Sequence, residues 1–452
     1  MAQTTMQQLD KTLGFMDLMA IAVGQIIGSG VMVMSISALG MTGRSVNIAF
    51  VVAAVLTCFG ALPTIFMGST IRVLGGTYTQ AALFCGARFA GFWSVINIFS
   101  KMSMAMFGVG LANYTIQLVP GLASSAKALS LFWLTAFFIL NYFGTDKMAK
   151  AQTIMFYLLI IALLMFTAFG LPKVHWSTYW GMGIDNTPLF TDGLAGLLEA
   201  ASYLTFATGG ATVIVMFSAE AINPIKDIPV VTIVSTVGVA VLYAFMSTCI
   251  GGILPIADVM AAGNLGVIAK EIMPLPCYYF FIVCGAIFAL GTTLNSSIAS
   301  ALKPLMAAVD DGWFPKSLNK LSKYKTTPAW LLIFYVVNAA AILAGMDTGM
   351  IGKLVLFIGN VNNFILIAGI MKLPKLFPEA WEKSPFHLPD GVFKFALLCA
   401  MGVTLMQAVM NCRNQPTWVL ISNAVMFVVA LGYSTVMYNS GKITINPAYE
   451  LM

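Results

Sequence analysis

Two short clusters of small and hydroxyl residues, Gly28-Ser29-Gly30 and Thr208-Gly209-Gly210, each sit in the middle of an apolar run long enough to cross a bilayer. An unpaired backbone N–H or C=O in hydrocarbon costs about 2–7 kcal/mol by transfer data, so a helix is not broken where it faces lipid. A break at these points must face protein, water or a ligand. Where a half-helix begins, it offers free N–H groups and a partial positive charge; where one ends, it offers free carbonyls and a partial negative charge. The first suits a carboxylate and the second an ammonium group or a cation, so a zwitterion satisfies both. Close packing of one helix on another is the alternative use of such glycines.

The chain that must position these clusters consists almost wholly of spans. Of its 452 residues 59% are hydrophobic and 9% charged, with a mean hydropathy of +0.90, whereas soluble domains carry about 25% charge. This predicts an all-α polytopic membrane protein. A span needs roughly 20 apolar residues, and twelve transmembrane helices are expected, near 15–39, 46–69, 89–119, 126–144, 151–170, 194–217, 229–253, 278–302, 328–345, 351–371, 393–411 and 417–438. The two clusters fall in spans one and six. Five is odd, so a five-span unit repeated in sequence is inserted upside down relative to its first copy, and interrupted segments in matching positions of two such halves point to a binding site near the midplane. Gly209 and Gly210 are therefore candidate binding residues beside the first cluster.

With the N-terminus inside, sixteen Lys and Arg fall in cytoplasmic segments against six outside, so both termini are expected in the cytoplasm and the cell membrane is the expected location. The net charge of +6 is then a matter of topology, and no basic soluble module exists to bind nucleic acid. The first residues, MAQTTMQQLDK, are polar, and no cleavable signal peptide is expected. The seven cysteines form no CxxC pair and the two histidines, His175 and His387, lie in loops, so no metal site or disulfide framework is expected. An intramembrane enzyme would need a constellation such as HExxH or GxSxG, and neither occurs. A channel would show a continuous polar pore rather than two isolated breaks. The bilayer is one expected partner and a small molecule the other; the sequence leaves the oligomeric state open.

Lys101, in the methionine-rich third span, lies about a dozen residues from its end, or roughly 18 Å at 1.5 Å per residue. A lysine at that depth costs roughly 2.5–3.5 kcal/mol and usually faces a bundle or a cavity. Three roles suit it: pairing with an anionic substrate side chain, titrating to couple transport to protons, or bracing the structure through Glu220, Glu199 or carbonyls. Thr292, Thr293, Asn295 and Ser296 make a hydroxyl-rich run in span eight, which suits either sodium or interhelical hydrogen bonding. In span ten Asn360, Asn362 and Asn363 stand in apolar surroundings, and at least one is expected at the cavity. Asp310 and Asp311 near Lys303 read as a gating ion pair or as solvated caps.

Four stretches, GQIIGSGVM (Gly24 to Met32), RVLGGTYTQAALFCGARFAGF (Arg72 to Phe92), SAEAINPIKDIP (Ser218 to Pro229) and LNSSIASALKPLMAAVDDGWFPKSLNKLSKYKTTP (Leu294 to Pro328), occur in this order. The chain resembles the amino acid–polyamine–organocation transporters in them. The resemblance implies a ten-helix inverted-repeat core over 15–371, two additional helices over 372–438, and cytoplasmic segments at 1–14 and 439–452. It also implies alternating-access transport of amino acids or related amines, by symport or antiport, with Na+ or H+ as the coupling ion and no other cofactor. By the same resemblance the N–H groups of Ser29, Gly30 and Val31 hold the substrate carboxylate, carbonyls near Ile26, Ile27, Phe206 and Ala207 take its ammonium, Lys101 lines the cavity, and Glu220 belongs to an inner gate. Two departures stand out. The loop of span six has only small residues after Phe206, and the lysine many members carry midway along span five is replaced at the comparable place by Tyr157, Leu158 or Leu159. The main reading is a transporter favouring a substrate whose anionic or polar side chain meets Lys101; the alternative is an exchanger of neutral amino acids.

Replacing Gly30 or Gly210 by leucine is expected to abolish substrate binding while the protein still inserts, measured by ligand-induced thermal shift and uptake. Normal uptake by both variants would overturn the two-break reading.

Overall fold

Long apolar runs become helices in a bilayer because the backbone there finds no hydrogen-bond partner but itself. A computed structural model of the chain describes residues 9–28, 30–262, 265–346, 348–413, 416–447 and 449–451. Among these, ten helical segments are long and apolar enough to cross a membrane: Phe15–Met32, Ser35–Gly68, Ala87–Leu118, Pro120–Tyr142, Thr145–Lys173, Gly193–Phe217, Pro224–Gly252, Leu275–Asp310, Asp390–Val409 and Thr417–Asn439. The expected spans at 328–345 and 351–371 coincide with shorter apolar helices, Pro328–Leu343 and, within Thr348–Ile370, Ile358–Ile370. The protein is an all-α polytopic membrane protein.

The two interrupted segments lie side by side and reversed. The helix Phe15–Ile26 packs on Ala211–Phe217, the second half of the later segment, while Gly193–Thr208 packs on Gly30–Met34 and Ser35–Thr42. Helices Val46–Gly68 and Pro224–Gly252 flank this pair and pack on each other, and Phe288–Asp310 closes it from the other side against Thr145–Gly170. The third span also has a discontinuity, since Ala87–Ser100 ends at Lys101 and Ser103–Leu118 begins after Met102.

At one end of the bundle the chain is tied by a buried arginine. Arg72, 2% exposed, donates from Nε to the carbonyl of Ser218 at 2.8 Å and from Nη2 to that of Ala219 at 2.8 Å, with Ala221 at 3.4 Å. These are carbonyls just past Ala211–Phe217, where the helix leaves acceptors unpaired. Ser218 in turn donates through its hydroxyl to the carbonyl of Val73. The two-residue strand Arg72–Val73 pairs antiparallel with Tyr449–Glu450, and Arg72 Nη1 meets the Glu450 carboxylate at 2.8 Å. The same chain segment reaches Asp311, whose carboxylate accepts the Asn446 N–H at 3.0 Å and whose carbonyl accepts that of Thr444.

Hydrogen bonds from a charged group to buried acceptors contribute about 1.5–3 kcal/mol each, whereas an ion pair with a partner as exposed as Glu450, at 41%, contributes under about 1 kcal/mol. Arg72→Met is therefore expected to lower the thermal midpoint in detergent several-fold more than Glu450→Gln. Equal shifts would show that the arginine acts mainly through the tail.

Candidate functional site

The first helix stops at Ile27, whose backbone (φ −83°, ψ 76°) leaves the helical region, and the chain resumes as a π-helical turn over Gly30–Met34. Ser29, expected to offer its N–H to a carboxylate, lies outside the described residues. The later helix stops at Gly209, which is extended, and Gly210 then takes φ +119°, a value L-residues rarely adopt. A 3-10 segment, Ala211–Phe217, follows. The two breaks touch through backbone: a Cβ on Gly30 would stand 2.7 Å from Cα and Cβ of Ala207, and one on Gly210 3.1 Å from the Gln25 carbonyl. A side chain at Gly30 thus forces the two segments apart, besides intruding on the space between them.

The carbonyls freed by the first break are met by side chains from three other helices. Thr293 and Thr292 donate to the Gly24 carbonyl at 2.8 and 3.2 Å, Tyr243 to that of Ile26 at 3.2 Å, and Tyr114 to that of Met32 at 3.2 Å. Ser296 donates to Gln25 Oε1 at 2.6 Å. Asn295 donates to Gln152 Oε1 at 2.8 Å and accepts from Asn141 at 2.9 Å, and Gln152 reaches the Ala20 carbonyl at 3.3 Å. The hydroxyl-rich run of span eight therefore holds the first break in shape through interhelical hydrogen bonds. The Ile26 carbonyl, expected to face an ammonium group, already accepts Tyr243 and the Gly28 N–H at 2.9 Å. The carbonyls of Phe206 and Ala207, at the end of Gly193–Thr208, keep the polarity an ammonium group requires.

Between the breaks lies a cavity of about 270 Å³. Its wall includes Ile26, Gly28, Gly30, Phe206, Gly209, Gly210 and Thr293, with Asn360 and Asn363 from the tenth expected span. Ile27, Val31 and Ala207 are buried behind that wall, and Asn362 is buried away from it. The described residues of the wall include no Asp, Glu, Lys, Arg or His. Lys101 is not among them: it is half-buried at the interruption of the third span, and Phe107, which does line the cavity, follows six residues later, about 9 Å along the axis. Glu220 does not serve it, because that carboxylate is paired elsewhere.

A cavity of this size, lined by neutral groups among the described residues and placed where helix starts and helix ends meet, accommodates a small zwitterion. The family model described as amino acid permease matches residues 17–443. The chain belongs to that family. It is 25% identical to the branched-chain amino acid permease BcaP of Bacillus subtilis over 95% of each chain. It is 24% identical to the large neutral amino acids transporter small subunit 2 of Oryctolagus cuniculus, over 84% of this chain and 72% of the relative. It is also 23% identical to the methylthioribose transporter of Bacillus subtilis, over 96% of each. The permease is thus a membrane transporter of the amino acid class and not an enzyme.

Away from the cavity, at the Arg72 end, the permease holds a buried ion pair. Lys303 Nζ lies 2.8 Å from Glu220 Oε1, with side chains 6% and 4% exposed, and Thr145 accepts a second hydrogen bond from the ammonium at 3.3 Å. The Glu220 carbonyl accepts the N–H groups of Thr12 and Leu13, so the chain entering the first helix is fastened to the same place. Asp310 and Asp311 do not pair with Lys303: Asp310 accepts from Asn319 at 2.9 Å, and Asp311 accepts from the Tyr78 hydroxyl at 2.7 Å. Burial pushes the Asp311 carboxyl up from the usual carboxylate range, against the Tyr78 and Asn446 hydrogen bonds that lower it.

Sequence reasoning set Lys303 beside Asp310 and Asp311 and missed its pairing with Glu220, although the helix runs on to Asp310 and so places the lysine two turns inside. Gln152 was missed as well. Of the positions compared with the family's lysine, Tyr157 is turned outward and half exposed, and the polar side chain of that helix that reaches the first break is Gln152, a signal available as the amide in an otherwise apolar run. Gln25 and Tyr243 carried no local signal, since only tertiary packing shows which carbonyls they meet.

Breaking a buried pair by removing one partner costs about 3–5 kcal/mol because a charge is left unpaired, while removing both costs much less. Glu220→Gln and Lys303→Met are each expected to lower the thermal midpoint strongly, and the double variant to recover most of the loss. Additive losses would mean that the two charges act independently.

Proposed function

We propose that the permease carries zwitterionic amino acids with uncharged side chains across the cell membrane by alternating access, with the carboxylate and ammonium groups held between the two breaks. The observation that carries this is the neutral wall. A side-chain carboxylate or ammonium drawn out of water into this cavity finds no counter-charge among the described residues of its wall, and an unpaired buried charge costs several kcal/mol. The names of two relatives, a branched-chain amino acid permease and a large neutral amino acids transporter subunit, agree with an uncharged cargo.

In this proposal Pro328–Leu343 and Thr348–Ile370 complete twelve spans, residues 15–371 form the inverted-repeat core and 372–438 the two additional helices. The positive-inside count places both termini and the Glu220–Lys303 pair in or near the cytoplasm. The pair and Arg72 then form the closed inner side, and separating them opens the cavity inward. Movement is a rocking of spans one, two, six and seven against the remainder. Cation coupling has two routes, sodium at the Thr292–Ser296 cluster, where the hydroxyls must turn from their present acceptors, or a proton at Lys101.

Purified protein in liposomes tests this. Uptake is expected to saturate, to be stimulated by amino acid inside, and to be inhibited by alanine, leucine or serine but at least about tenfold less by aspartate or lysine, a difference of about 1.4 kcal/mol. Repeating the assay with and without sodium, and at two pH values, assigns the coupling ion. Non-saturating flux, or preference for a charged amino acid, would overturn the proposal.

A further inference from the structure

The cavity has a second polar feature that lies apart from the two breaks. Asn360 and Asn363 stand three residues apart on Thr348–Ile370 and so share a face of that helix. Gln407 stands on Asp390–Arg413, which packs directly against it. All three line the cavity. Gln407 comes from outside the ten spans that the inverted repeat accounts for.

Several amides of the bundle are held by protein partners, while Asn97, Asn362 and Asn423 are buried away from the cavity with at least one amide atom unpartnered. Gln25, Gln152, Asn141, Asn295 and Asn338 each have a protein partner within 3 Å or a little more. Among the described residues nothing offers a hydrogen bond to Asn360, Asn363 or Gln407. Asn360, Asn363 and Gln407 are half-buried, and a side-chain amide carries two donor hydrogens and an oxygen with two lone pairs. Three unpaired amides on one cavity wall are complementary to whatever occupies the cavity.

We infer that Asn360, Asn363 and Gln407 form the subsite for the substrate's side chain, and that this subsite selects a neutral hydrogen-bonding group, a hydroxyl or a carboxamide. The inference rests on the reading above of a zwitterion held at the breaks. A methyl-ended side chain of the same shape displaces water from the three amides and returns no hydrogen bond, which is the circumstance in which a polar site discriminates most. A carboxylate accepts from amides, but without a cation in the wall its desolvation is uncompensated. The permease therefore departs from a purely apolar preference, and a helix outside the inverted repeat supplies part of its selectivity.

Threonine and valine are nearly equal in volume and differ by a hydroxyl for a methyl, as asparagine and leucine differ by an amide for an isopropyl group. In liposomes holding the wild-type protein, competition against labelled L-serine uptake is expected to favour threonine over valine and asparagine over leucine. In Gln407→Leu these preference ratios are expected to fall by on the order of 3- to 10-fold, the worth of one neutral hydrogen bond. Gln407→Glu, which keeps the shape and adds a charge, is expected to admit L-lysine as a competitor, and it reads the subsite even if the leucine variant folds poorly. Wild-type ratios near one, or ratios unchanged in Gln407→Leu together with no lysine competition in Gln407→Glu, would overturn the inference. Failure of the underlying reading looks different, since then no amino acid would compete in the wild-type protein.

Discussion

A backbone carbonyl freed inside a membrane protein must find a donor, and the arrangement of this permease follows from meeting that demand at two broken helices. The first break frees the carbonyls around Gly24 to Met32, and Thr292, Thr293, Tyr243 and Tyr114 answer them from spans eight, seven and three. The end of the second broken segment frees those of Ser218, Ala219 and Ala221, and Arg72 answers these. Each donor is fixed by its own helix, so the breaks in turn fix how the helices stand around them. The cavity is the space left where these obligations have been met and backbone polarity is still turned inward.

Charge is distributed by the same logic. The buried ion pair, Glu220 with Lys303, sits away from the cavity, at the Arg72 end of the bundle. The cavity wall itself is kept neutral among the described residues. In the proposed mode of binding, a substrate brings its own two charges and meets partial charges of helix ends rather than full ones. Partial charges bind a zwitterion without trapping it, which suits a protein that must also release its cargo. Lys101 stands apart from this scheme, at the interruption of the third span.

Much of this was legible from residue types alone, and for a physical reason. The bilayer punishes unpaired backbone and charge so heavily that Gly28-Ser29-Gly30, Thr208-Gly209-Gly210 and the apolar runs around them have few alternative meanings. The breaks at Ile27 and at Gly209–Gly210 fall where the glycines indicated, and Asn360 and Asn363 reach the cavity as one or more of that cluster was expected to. Lys303 was not legible as half of a buried pair, because its partner is 83 residues earlier and a lysine near the end of a span reads as a loop charge. Gln407 carried no signal either, since an amide on a late span gains meaning only from what it faces.

The sequence by itself determined the membrane class, the approximate spans, the two breaks and their matching positions, because each rests on a cost paid locally by the residue concerned. The tertiary structure alone decided which side chains pair the freed carbonyls, that Glu220 meets Lys303 and not Lys101, and that Lys101 stands off a cavity whose wall is neutral among the described residues. Those are questions of which helix faces which, and a side chain's partner across a bundle is set by packing between segments that no local spacing encodes.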